Sequence, residues 1–227
     1  SGGWRFDLSF GPDASFLTDH VVQGRQILPA TAYIEIARAA AVEITGADAV
    51  EITGLTFRSM VTGEDVTRGL SLAVRGDGPR WDFGLEDAQG KVFATGKLGA
   101  CTDTYVVALP SISAAAVTSE GARFYEAFQQ MGIDYGPAFR LIQSAELAKG
   151  QVEARLAQVL PEGAFEAQLA LPPNMLDAAL QTTLGLVLGQ KTLPTSVPVY
   201  LDCVRVLGPL PRQVDIAVAE QRDGSRT

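Results

Sequence analysis

Two stretches decide most of what this chain can fold into. Residues 29–44 read PATAYIEIARAAAVEI, with Glu35, Arg38 and Glu43 as the only charges and no glycine. The alanine-rich composition favours a helix, and proline suits a first turn. A helix that is apolar on most sides is normally buried. Residues 171–190, LPPNMLDAALQTTLGLVLGQ, repeat the plan, because Leu171-Pro172 opens the second stretch as Leu28-Pro29 opens the first. Short β-prone runs follow each stretch, so the plan is one buried helix per antiparallel sheet, used twice.

The runs themselves are punctuated by turn residues. WRFDLSF at 4–10 alternates in period two. EITGLTFRSMV, GLSLAVRG, RWDFGLED and KVFATGKL are separated by turns such as RGDGPR and EDAQGK. SEGARFYEAFQQMG reads as a short amphipathic helix with Ser119 as its N-cap. FRLIQSAELAKG, QVEARLAQVL, SVPVYLDCVRVLG and QVDIAVAEQ read as strands, and GPDASFLTDHVVQGRQ reads as loop. This gives an N-terminal subdomain over 1–100, a connector over 101–118 and a C-terminal subdomain over 119–227. The polar close, AEQRDGSRT, suggests that the second subdomain is incomplete at its C-terminal end.

Composition excludes several roles. Hydrophobic residues make up 47% of the 227 and charged residues 19%, enough apolar material for a proper core. The formal charge is −8 and no Lys/Arg run occurs, which argues against nucleic-acid binding. No apolar run approaches the ~20 residues of a membrane helix, and SGGWRFDLSF has no signal-peptide pattern. Cys101 and Cys203 lie far apart and only one histidine is present, so no zinc-site spacing exists. Two reduced thiols in a cytoplasmic protein is the favoured reading over a single disulfide.

Three places could do chemistry. His20 is the sole histidine, with Gly24 and Pro29 following as H-x3-G-x4-P. It reads either as an ordinary loop histidine or as a base. Gly24 permits a tight turn. Pro29 opens the helix, so Ala30 and Thr31 have backbone N–H groups without intrahelical acceptors, able to hold a developing oxyanion. Asp177 sits among Met175, Leu176, Ala178, Ala179 and Leu180, with Gln181 on the same helix face at i+4. It is either a solvent-facing acid or a carboxylic acid whose pKa desolvation raises. Tyr135, Gly136 and Pro137, in MGIDYGPAFR, are either a plain turn or one that projects a phenol into a pocket.

Together these stretches resemble the dehydratase domains of modular polyketide synthases. HVVQGRQILP corresponds to the family's H-x3-G-x4-P, GIDYGPAF to G-Y-x-Y-G-P-x-F with Ile133 for the first tyrosine, and DAALQ to D-x3-Q. LPTSVPVYLDCVRV resembles the L-P-x-S stretch after the second helix. The resemblance implies an α+β double hotdog, two antiparallel sheets each wrapped around one long central helix. It also implies dehydration of a β-hydroxyacyl thioester to an α,β-unsaturated thioester during polyketide chain extension. His20 would take the α-proton and Asp177 would protonate the departing β-hydroxyl. Gln181 and Tyr135 would position that hydroxyl, and Gly136 and Pro137 belong to the positioning turn. The N–H near Ala30 is the candidate for the thioester carbonyl, and Gly24 and Pro29 shape the segment bearing His20.

No bound cofactor or metal is implied. The substrate would arrive on the phosphopantetheine arm of an acyl carrier protein, inside a homodimeric multidomain synthase. One departure is Pro172, where the family commonly has histidine before the second helix. A dehydratase that also isomerises the double bond or closes a cyclic ether is an alternative outcome, as is a non-catalytic acyl-binding scaffold.

Overall fold

A computed structural model describes residues 2–10, 14–102, 116–159, 164–188 and 199–220. The strands of the first half are β1 (Gly2–Leu8), β2 (His20–Val22), β3 (Arg25–Gln26), β4 (Val50–Phe57), β5 (Leu70–Gly76), β6 (Arg80–Asp87) and β7 (Val92–Ala100). Those of the second are β8 (Val117–Glu120), β9 (Ile133–Tyr135), β10 (Ile142–Ala148), β11 (Gln151–Ala157), β12 (Tyr200–Val206) and β13 (Gln213–Ala219). The helices are α1 (Ser15–Thr18), α2 (Ala30–Thr45), α3 (Gly63–Arg68), α4 (Gly121–Gln130) and α5 (Pro173–Gln181). Every strand pairing is antiparallel.

A six-stranded sheet runs in the order β1-β5-β6-β7-β4-β12, and α2 packs across β4 and β7. A four-stranded sheet runs β13-β11-β10-β8, and α5 with the 3-10 segment that follows it packs on β10 and β11. The period-two reading holds in β6, where Phe83, Leu85 and Asp87 turn inward. The buried Asp87 then closes the EDAQGK turn by accepting the N–H groups of Gln89 and Lys91, both at 2.9 Å. Under α2, the side chains of Ala37, Ala41, Ile52 and Leu98 are fully buried in one core.

Several expectations need correcting. His20 is not in a loop: it is the first residue of β2, which pairs with β3 and with β9. Ser119 does not cap α4, because it lies in β8 opposite Ala145 and the helix begins at Gly121 without a side-chain cap. The second apolar helix is shorter than 171–190. It ends at Gln181 and tightens into a 3-10 segment over Thr182–Leu186. The hydroxyls of Thr182 and Thr183 bond back to the carbonyls three residues earlier, both at 2.6 Å, competing with regular helix. The run at 51–61 is strand only as far as Phe57. Thr62 and Asp65 then form a reciprocal capping box that starts α3.

The strand at 200–206, drawn from the last third of the chain, pairs with β4 in the first half's sheet. Hydrogen bonding therefore runs across the position where the two subdomains were expected to part. Most of the connector 101–118, and the L-P-x-S stretch at 193–196, lie outside the described residues.

Replacing the fully buried Leu98 by alanine should cost about 2–5 kcal/mol of stability, read as a lower midpoint in chemical denaturation with an unchanged slope.

Candidate active site

The site is assembled by the smallest of the three sheets. β2 leaves α1 at His20 and turns back into β3 through Gln23 and Gly24, both left-handed with φ of 50° and 74°. Such a two-residue loop is how a hairpin reverses with the right twist, and glycine adopts it without strain. On its other side β2 pairs with β9, placing His20 directly opposite Tyr135, Val21 opposite Asp134 and Val22 opposite Ile133. His20 from the first half thus meets Tyr135 from the second through backbone register.

His20 is buried at 8% exposure, with its ring centroid 5.5 Å from that of Tyr135 and 5.4 Å from that of Phe139. Its Nδ1 lies 2.8 Å from the carbonyl oxygen of Ile27. A carbonyl can only accept, so Nδ1 bears the proton and the neutral ring keeps its lone pair on Nε2. The backbone N–H of Ile27 also bonds to the carbonyl of His20 at 3.1 Å, so one residue fixes both ring and strand.

Asp177 projects from α5 at 7% exposure. Gln181, one turn later, donates from Nε2 to its Oδ2 at 2.9 Å, and the Tyr135 hydroxyl bonds to the same carboxyl. Burial raises the Asp177 pKa above the usual carboxylate value, and it prevails over the lowering effects of His20 and of these two hydrogen bonds. Tyr135 is pushed well above the usual phenol value, first by burial and then by the neighbouring Asp177 charge. It is therefore a hydroxyl donor, not a base. Gln181 Oε1 is buried with no partner among the described residues, an acceptor left over.

His20, Ala30, Tyr135, Asp177 and Gln181 line one cavity of about 630 Å³. The rest of its wall is largely apolar, including Phe57, Phe128, Met131, Ile133 and Leu184, with Arg58 as the one permanent cation among the described residues that line it. A second cavity of about 480 Å³ lies beside the outer face of α2 and holds neither His20 nor Asp177. Ala30 is the first residue of α2, so its N–H sits in the unpaired opening turn.

The remaining sequence candidates act at one remove. Gly24, Pro29, Gly136 and Pro137 do not line the cavity. Pro29 is the N-cap of α2 and Pro137 opens a 3-10 turn. Pro172, the departure from the family pattern, is the N-cap of α5.

Sequence reasoning missed Asp19. Its carbonyl accepts the N–H of Gly136 at 2.7 Å and its Oδ2 accepts that of Ala138 at 2.8 Å, so the residue beside His20 clasps the whole tyrosine turn. A side chain at Gly136 would place Cβ 2.3 Å from the Asp19 carboxyl carbon, which explains the glycine. Asn174 was missed too. It is fully buried, donates to the Ala138 carbonyl at 2.9 Å and accepts from Gln158 at 2.8 Å. An Asp-His dipeptide ending four residues before the hairpin's glycine is the only sequence hint of the first, and nothing near Asn174 signals the second.

Gly136→Ala should force Asp19 aside and shift β9 against β2. Expected are a loss of about 1–3 kcal/mol in stability and a drop in turnover larger than the folded fraction explains, measured by denaturation and a single-turnover assay.

Comparisons with known proteins identify the family and the fold. The family profile described as "Polyketide synthase dehydratase N-terminal domain" matches residues 107–227, and "Polyketide synthase dehydratase domain" matches residues 1–86. Polyketide synthase PksM of Bacillus subtilis is 27% identical over 92% of this chain, and pikromycin polyketide synthase component PikAII of Streptomyces venezuelae is 35% identical over 73%. The chain spans only 5% of the length of each of these relatives. The crystal structure of the dehydratase domain of RzxB from Pseudomonas fluorescens superimposes with a TM-score of 0.85 at 23% identity, covering 98% of this chain and 84% of that one. Its α+β sheets and paired helices are those of a double hotdog, and the chain belongs to the polyketide synthase dehydratase family.

Proposed function

We propose that His20 and Asp177 share the dehydration of a β-hydroxyacyl thioester. The dehydratases of polyketide synthases are hydro-lyases acting during chain extension. In this reading Nε2 of His20 removes the α-proton, and the C–H electron pair becomes the new double bond. The β C–O bond breaks as protonated Asp177 gives its proton to the oxygen, which leaves as water. The thioester carbonyl gains enolate-like charge on the way, and the Ala30 N–H at the head of α2 stabilises it; one such donor contributes about 3 kcal/mol. Gln181 Oε1 accepts from the β-hydroxyl, and Tyr135 holds the Asp177 carboxyl in place.

One observation supports this most: an imidazole whose Nε2 is left free by the Nδ1–Ile27 bond, and a carboxyl whose pKa burial raises, border the same largely apolar cavity. Acid and base work as a pair when their surroundings suit opposite proton tasks, and the apolar wall raises the pKa of Asp177, the group that must give its proton up. A purely acyl-binding scaffold would gain nothing from leaving a desolvated carboxyl there.

The substrate would come on the phosphopantetheine arm of an acyl carrier protein, within a multidomain, homodimeric synthase in the cytoplasm. The matched relatives are polyketide synthases far longer than this chain. With a net charge of −8, this domain would repel an acidic carrier at long range, so tethering in one polypeptide would provide the effective concentration. No helix among the described residues is long and apolar enough to cross a membrane.

With a carrier-bound β-hydroxyacyl substrate, mass spectrometry should register loss of one water. His20→Ala should slow that loss by about 10²–10⁴-fold, a typical value of a positioned base. Unimpaired turnover in that variant would refute the assignment.

The pH profile offers a separate check. Asp177 works in its protonated form, so activity should persist above the usual carboxylate range and fall as pH rises through the raised pKa. Asp177→Asn, unable to donate a proton, should remove that alkaline limb and leave only residual activity at every pH.

A further inference from the structure

We propose that Thr31 is a positioning residue that sets the distance between the two halves of the active site. The inference rests on the roles given above to Ala30, His20 and Asp177. Thr31 follows Ala30 in the opening turn of α2, is 0% exposed and does not itself line the cavity. A threonine in a first helical turn ordinarily bonds to its own backbone or to water. This one crosses to the other half of the chain, its Oγ1 donating to the carbonyl oxygen of Pro173 at 2.9 Å.

The acceptor gives the contact its consequence. Pro173 begins α5 and lies four residues before Asp177, so in the helix its carbonyl also receives the Asp177 N–H. One oxygen, with two lone pairs, therefore joins the turn holding the oxyanion donor to the backbone of the acid.

The opening of α5 has few other handles. Pro172 and Pro173 have no N–H, which leaves Leu171 as the last amide donor before the helix. That N–H goes to Glu35 Oε2 at 3.2 Å. Glu35 is one turn beyond Thr31 on the same face of α2, and Arg38 holds its carboxylate through bonds of 2.6 and 2.9 Å. Thr31 and Glu35 thus grip a carbonyl and an amide on either side of the proline pair.

The test uses Thr31→Val, which keeps the shape and removes the hydroxyl, and Thr31→Ser, which restores it. Pro173 O keeps the helical N–H in both variants, so no buried acceptor is stranded. Expected for Thr31→Val is a folded protein whose kcat falls about 10–100-fold, the scale of a small misplacement of reacting groups, with KM little changed. Its alkaline limb should move to lower pH, because a loosened α5 lets water reach Asp177 and lowers its pKa. The charged or titratable groups facing Asp177 are His20 from β2, Tyr135 from β9 and, at longer range, Tyr125 from α4; none is altered by the substitution. Thr31→Ser should recover most of the rate and the wild-type limb.

A wild-type rate and limb in Thr31→Val would overturn the proposal. So would a profile merely scaled down in step with a lower melting temperature, a serine variant as defective as the valine one, or a valine variant that does not fold. His20→Ala, assayed alongside, separates the two layers. Turnover in that variant sinks the catalytic reading, whereas its loss together with an unaffected Thr31→Val sinks only the positioning role.

Discussion

Three residue pairs, His20–Tyr135, Val21–Asp134 and Val22–Ile133, join the two halves of the chain at the candidate active site. They join strands more than a hundred positions apart, and a pairing this short has few ladder bonds of its own. Its ends are therefore pinned from outside. Gln23 N–H reaches the Gly132 carbonyl at 2.8 Å beyond one end, and Asp19 takes the Gly136 and Ala138 N–H groups beyond the other. Closing so long a loop costs entropy before any contact repays it, and these anchors share that cost with the two larger sheets. This seam brings His20 of one half to the cavity that Asp177 of the other also lines.

The electrostatics follow from where the seam lies. Tyr135, brought across by β9, packs against the His20 imidazole and interacts with the Asp177 carboxyl. Apolar walls raise the pKa of both the acid and the phenol. The Ile27 carbonyl selects the tautomer of His20 from behind. Each device acts on where a proton sits, which suits the proposed transfer of one proton to His20 and one from Asp177. The left-over acceptor on Gln181 belongs to the same logic, since a buried amide oxygen without a partner is costly unless a ligand completes it.

The two helices contribute in unequal ways. α2 is long, buried under its sheet and ended by the left-handed Gly46. α5 is barely half as long and continues as 3-10 turns where Thr182 and Thr183 bond back on themselves. Both stretches looked alike as apolar runs, because periodicity reports burial and not the helix type. Similarly, the Ser119 hydroxyl suggested a cap, but pairing of β8 with β10 extends the strand past it. A local preference of about 1 kcal/mol yields readily to a ladder of hydrogen bonds.

What the sequence by itself determined was the inventory: a sole histidine with its glycine and proline, an acid with its glutamine on an apolar helix, and two buried helices alternating with strands. These are local signals, written in spacing and composition; they indicated one buried helix per antiparallel sheet, used twice, and the resemblance carried by the same motifs supplied the double hotdog and the candidate acid and base. What only the tertiary structure decided was the set of contacts across the halves: Asp19 on the tyrosine turn, Asn174 on Ala138, Thr31 on Pro173, Glu35 on Leu171, and β12 beside β4. Each is a hydrogen bond between groups far apart in the chain. Any serine, threonine or carboxylate could have made such a bond, so its partner is chosen by packing and leaves no mark in spacing.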